Sequence, residues 1–125
     1  MKKLNVEKII KDQEKYFAVV NETIDKELAQ SLQAGGRMLV DSAGLAFVYI
    51  LETEQEFFYV SFPQHTWEEL HRVLQQSAII TLRLNETIHI ELDSIAEELS
   101  FLTENIEGNS NYGEEMEKAV HEVFN

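Results

Sequence analysis

Four histidines, 23 carboxylates and no cysteine bound the chemistry open to this 125-residue chain. Without cysteine there is no thiolate zinc site, iron–sulfur centre, disulfide scaffold or cysteine nucleophile. The histidines are His65, His71, His89 and His121. None stands four residues from another, so no helix offers two imidazoles on one face. His65, Glu68 and His71 form the one grouping whose types and spacing suit metal or acid–base chemistry. Glu68-x-x-His71 has the spacing of di-iron carboxylate bundles, which use that motif twice with two further glutamates. Here it occurs once. Glu117 and His121, four apart, read more simply as a surface pair near a helix C-terminus.

Carboxylate pairs arise by number alone. A general acid needs a carboxyl whose pKa burial has raised, and the pattern puts every acid on a polar face or in a turn. The serines have no Gly-x-Ser-x-Gly frame, and Gly35-Gly36 is no phosphate loop. That pair reads as a helix stop. No catalytic residue, cofactor or tightly bound metal is expected.

The elements that would position these groups follow from charge and periodicity. Apolar residues at 44% and charged residues at 26% are globular values. At this length about two-thirds of the unfolded surface is buried on folding, so residues 1–125 are expected to form one domain. The net charge is −13. Residues 85–125 hold eleven acids and one base, Lys118, against twelve acids and nine bases in residues 1–84. Such a surface repels nucleic acid and anionic membrane. It suits a basic protein partner, or holds cations weakly along helix faces. No apolar run approaches the span of a membrane, and the N-terminal segment lacks the apolar stretch of a signal peptide. A cytoplasmic protein is expected, with no nucleic-acid or membrane partner.

Residues 4–10 and 16–20 are β-rich and predict a hairpin. Residues 25–34 predict a short helix capped by Asp25 and stopped at Gly35-Gly36. Residues 38–40 predict a strand, and residues 41–44 a type I turn. Residues 45–51 and 57–62 are apolar on both faces. There, both sheet faces are covered or one face awaits a partner. Seven of the aromatic residues lie between Phe47 and Trp67. Residues 66–76 predict a helix with a Thr66/Glu69 capping box and a stripe of Trp67, Leu70 and Leu74, with Val73 at its edge.

Residues 78–84 and 87–92 predict strands. Only an odd loop, Asn85, Glu86 and Thr87, sets Leu82 opposite Ile90 on one apolar face, with Arg83 and His89 on the other. Residues 93–107 predict a helix capped by Asp93 or Ser94 and closed by Gly108. Residues 112–124 predict a last helix, with Tyr112, Met116, Ala119, Val120 and Val123 on its apolar face and Asn111 as its cap. The sum is an α+β fold: a mainly antiparallel sheet of about seven short strands with three or four segregated helices, two of them at the C-terminus. The loop at 108–113 between those helices makes Asn109, Asn111 and Tyr112 the interaction candidates.

Three stretches, MLVDSAGLAFVY at 38–49, HTWEELH at 65–71 and ENIEGNSNYGEEM at 104–116, resemble the YjbL-like uncharacterised protein family of low-GC Gram-positive bacteria. The resemblance covers roughly Gly36 to the C-terminus. It implies a small cytosolic bacterial protein and carries over no activity, cofactor or catalytic residue. Two functions follow from the residues. The first is a non-enzymatic binding or adaptor protein, using the acidic helical face or the aromatic hairpin to engage a basic protein surface or a second copy. The second is a small-molecule- or metal-dependent enzyme built on His65, Glu68 and His71.

Overall fold

The structure, a computed structural model, describes residues 3–124; Lys2, one of the N-terminal lysines, lies outside them. Strands β1 (Lys3–Asp12) and β2 (Lys15–Val20) form the expected hairpin. Helix α1 (Lys26–Ser31) follows, and the Asp25 side chain accepts from Leu28 N at 3.1 Å as its cap. Strands β3 (Gln33–Asp41), β4 (Ala46–Glu52) and β5 (Phe57–Pro63) form a meander. A 3-10 turn leads into helix α2 (Trp67–Gln76). Strands β6 (Ile80–Arg83) and β7 (His89–Glu91) precede helices α3 (Ile95–Ile106) and α4 (Glu114–Phe124).

The seven strands lie in the order β3-β4-β5-β1-β2-β6-β7. The β1–β2 hairpin is inserted in the middle, so β1 runs parallel to β5 and β2 parallel to β6. The other four pairings are antiparallel. One sheet face is apolar and continuous. Phe47, Tyr49, Leu51, Val60, Ala18, Ile80 and Leu82 are fully buried on it. Helices α2, α3 and α4 pack on one another, and their stripes join that face in one core. The sheet curls so that its two ends meet. Tyr49 Oη on β4 donates to the Asp93 carbonyl just after β7, at 2.7 Å. Glu98 on α3 accepts from Met38 N on β3, at 2.9 Å.

Where the expectations fail, a local competitor wins. Gly35-Gly36 stops no helix; α1 ends before Leu32, and both glycines lie within β3, where its register with β4 shifts. A Cβ on Gly35 would stand 2.8 Å from the Ile50 carbonyl oxygen. Gly36 has φ +71°, and its N–H donates to Tyr49 Oη at 3.1 Å. The pair makes a bulge, which glycine permits as readily as a helix stop.

The Thr66/Glu69 capping box does not form. Thr66 Oγ1 donates instead to the Pro63 carbonyl within the 3-10 turn, and Glu69 pairs with Arg72. Val73 is fully buried, whereas Leu74 at the stripe's other edge is half-buried. Ser94 precedes α3 without a side-chain bond, but Gly108 closes that helix with φ +71°, as expected. Asn111 caps nothing, and Tyr112 is outside the last helix. The segment Ser110–Tyr112 is a 3-10 turn capped by Asn109, and α4 starts at Glu114. His121 pairs with Glu107 rather than Glu117.

The β6–β7 hairpin has the expected register, with Leu82 opposite Ile90 and Arg83 opposite His89. Thr87 stands where such a loop prefers glycine, and Asn85 organises the turn instead: its Oδ1 accepts from Thr87 N at 2.9 Å and Ile88 N at 2.8 Å. This is an Asx turn. Asn85→Ala should lower stability by about 1 kcal/mol, and Asn85→Asp, which keeps the acceptor, by less. Urea melts of both variants check this.

Candidate interaction surfaces

Alternation along β3, β4 and β5 puts every second side chain on the outer sheet face, away from the helices. Cross-strand pairing sets Leu39 against Val48 and Ile50 against Tyr59. Of the five large apolar side chains that stand exposed among the described residues, three lie together here: Leu39 at 52%, Phe57 at 47% and Tyr59 at 40%. Ile50 is buried beneath this patch yet outside the main core. Arg37 stacks over Phe57, its Cζ 5.8 Å from the ring centroid. Toward β1 the face turns polar. Glu22 takes two hydrogen bonds from Asn5, from the backbone N at 2.8 Å and from Nδ2 at 2.7 Å. Burial opposes ionisation of Glu22, but these bonds and the Lys3 charge outweigh it, so the carboxyl titrates below its ordinary value.

A second surface is the groove between the end of α3 and α4, about 580 Å³, lined by Glu107, Glu114, Glu115, Glu117, Lys118 and His121. His121 Nδ1 lies 3.1 Å from Glu107 Oε1. A carboxylate only accepts, so this nitrogen carries the proton. Gly108 lines the groove too, whereas Asn109, Asn111 and Tyr112 do not. The Asn109 side chain is spent on Asn111 N at 3.0 Å, Asn111 is exposed, and Tyr112 packs partly against the core.

The histidine grouping is dispersed. His65 Nε2 donates to the Glu7 carbonyl of β1 at 2.7 Å. The His71 ring meets Phe124 edge-on at 5.5 Å, with Nδ1 buried and without a hydrogen-bond partner among the described residues. Glu68 is exposed on the first turn of α2. Among the described residues, no three His, Asp or Glu side chains converge to hold a metal ion. No helix among them is long and apolar enough to cross a membrane.

The outer-face patch has a visible sequence signal, the two-sided apolarity of residues 45–51 and 57–62. The Glu107–His121 contact has none, because it joins residues 14 apart across a loop whose path the pattern does not set.

Over residues 4–124 the chain matches the family described as "Family of unknown function (UPF0738)". A UPF0738 protein of Bacillus cereus is 44% identical over 108 residues, covering 86% of this chain and 85% of that protein. A UPF0738 protein of Bacillus thuringiensis has the same identity and coverage. No solved structure matches. The relatives are bacterial, as the resemblance implied, and UPF0738 rather than YjbL is the name they carry. A match of this extent, together with identity of this degree to whole relatives, places the chain in the UPF0738 family.

Proposed function

We propose that this is a non-enzymatic binding protein that docks a basic protein through the outer face of β3, β4 and β5. The observation that carries the proposal is the contiguous patch of Leu39, Phe57 and Tyr59, exposed around Val48 and Ile50. Scattered apolar residues on a surface are ordinary; a contiguous patch with a polar surround marks an interaction site. Aromatic side chains there supply most of the binding energy of such contacts. Charge selects the occupant. At −13, copies of this chain repel one another, while a cationic protein is attracted from a distance.

The test is capture of partners from Bacillus lysate by the full chain, at low and high salt, with Phe57→Gln/Tyr59→Gln as the paired bait. The wild-type chain should retain a basic protein that salt releases. The variant should bind it at least about tenfold less well, with stability within about 0.5 kcal/mol of wild type because both side chains stand on the surface. Equal capture by both baits overturns the proposal. So does a wild-type chain that sediments as a dimer and a variant that sediments as a monomer, which would assign the face to a second copy.

A further inference from the structure

At the other end of the outer sheet face, across β1 from the docking patch, a cleft gathers donors that the chain leaves uncommitted. Parallel pairing sets Val19 against Arg83, and antiparallel pairing sets Arg83 against His89. The Arg83 guanidinium lies over Phe17, with Cζ 4.2 Å from the ring centroid. Phe17 in turn meets the His89 ring near-perpendicular, at 6.2 Å between centroids. Stacking of this kind engages the flat face of the guanidinium. Its five N–H groups lie in its plane and stay free to donate. Among the described residues no carboxylate pairs with Arg83, although the chain has 23 acids.

Asn85 adds a third donor. Its Oδ1 accepts from Thr87 N, Thr87 Oγ1 and Ile88 N at 2.9, 3.2 and 2.8 Å. Those bonds fix which end of the carboxamide is oxygen. The NH₂ end makes no hydrogen bond among the described residues. Arg83, His89 and Asn85 all line one cleft of about 500 Å³, whose apolar wall is Val19, Val20 and Leu84. That volume suits a small organic group.

We propose that this cleft binds a carboxylate carried on an apolar body. Arg83 takes both oxygens in its fork, the geometry that makes such pairs strong. His89 and Asn85 donate from the flanks, and the apolar body lies along the valine and leucine wall. Glu86 also lines the cleft. Its fixed negative charge disfavours a second charge on the ligand, so monocarboxylates are selected over phosphates. The carboxylate belongs to a free small acid or to an acidic side chain of a protein. The proposal does not depend on the docking surface described above.

Nuclear magnetic resonance titration of the full chain in physiological salt tests it, with hexanoate in one arm and an N-acetylated, C-amidated glutamyl peptide in the other. Inorganic phosphate and hexanol are the controls. One carboxylate arm or both should give saturable one-site shifts at the Arg83 Nε–H and Asn85 side-chain signals. Tighter hexanoate identifies a free acid as the source, and a tighter peptide identifies a protein side chain. Arg83→Met keeps an unbranched side chain of similar reach, removes the guanidinium fork and should weaken binding about tenfold or more. Glu86→Gln touches nothing that holds the fold and should strengthen it. No saturation in either arm overturns the proposal. So does phosphate binding as tightly as the carboxylates, or binding that neither substitution changes.

Discussion

Trp67→Ala should destabilise the protein by about 3–5 kcal/mol, the range for truncating a fully buried large aromatic. Trp67 is 0% exposed at the start of α2. Its ring lies 5.1 Å from Phe47 and 6.0 Å from Phe124, centroid to centroid. It therefore joins the sheet to both α2 and α4. The indole N–H also donates to the Phe62 carbonyl at 3.0 Å. Alanine leaves a cavity and removes that donor together. Trp67→Phe narrows the comparison, because it keeps an aromatic ring in the core and loses the donor with only a small part of the packing, and it should cost less than the alanine variant. Urea denaturation of both variants measures the difference. A change under about 1 kcal/mol for Trp67→Ala would place the side chain on the surface.

What the sequence shows of this fold depends on how local the deciding interaction is. The β6–β7 register is legible because side chains alternate with period two, so an even loop would mix Leu82 with His89 across the pair. The Asp25 cap is legible because its bond spans one turn. The parallel pairings of β1 with β5 and β2 with β6 are not, since alternation within a strand carries no information about the direction of its neighbour. Gly35-Gly36 misleads for a related reason. The composition of a helix stop and of a bulge is the same, and only the approach of the Ile50 carbonyl from β4 decides between them. Thr66 misleads because its hydroxyl can accept from the helix or donate to the strand end, and the Pro63 carbonyl takes it.

The candidate surfaces divide along the same line. Apolarity on both faces of β4 and β5 announces a second buried or binding face, and the missing covering element shows only once the helices are seen on the other side. Loop composition drew attention to Asn109, Asn111 and Tyr112, whereas the nearby groove is built by glutamates from two helices and by Gly108. Arg83 opposite His89 follows from loop parity alone. Phe17 beneath them requires the parallel β2–β6 pairing, so the cluster is complete only in three dimensions.

Tyr49→Phe should cost about 2 kcal/mol or more, because one oxygen makes hydrogen bonds to two backbone groups. Tyr49 Oη donates to the Asp93 carbonyl at 2.7 Å and accepts from Gly36 N at 3.1 Å. It thereby ties the bulge of β3 and the middle of β4 to the connection between β7 and α3. Phenylalanine fills the same space and satisfies neither partner, so the loss is one of hydrogen bonding rather than packing. The phenol is also a pH probe. Burial pushes its pKa up to about 12; the Gly36 N–H opposes this, and the negative charges of Asp93 and Glu98 add to it. An exposed tyrosine in the unfolded chain ionises near about 10. Between those values the folded state holds a proton that the unfolded state has released, so stability falls as pH rises. The contribution is complete below about pH 10 and disappears as pH passes through 12. Other groups titrate in that window, and comparison with Tyr49→Phe removes them. The difference in stability between wild type and variant should be constant from neutral pH to about 10 and then shrink. A difference that stays constant to about pH 12 would mean that the phenol ionises equally easily in both states, and a difference near zero at neutral pH that its two hydrogen bonds do not close the sheet.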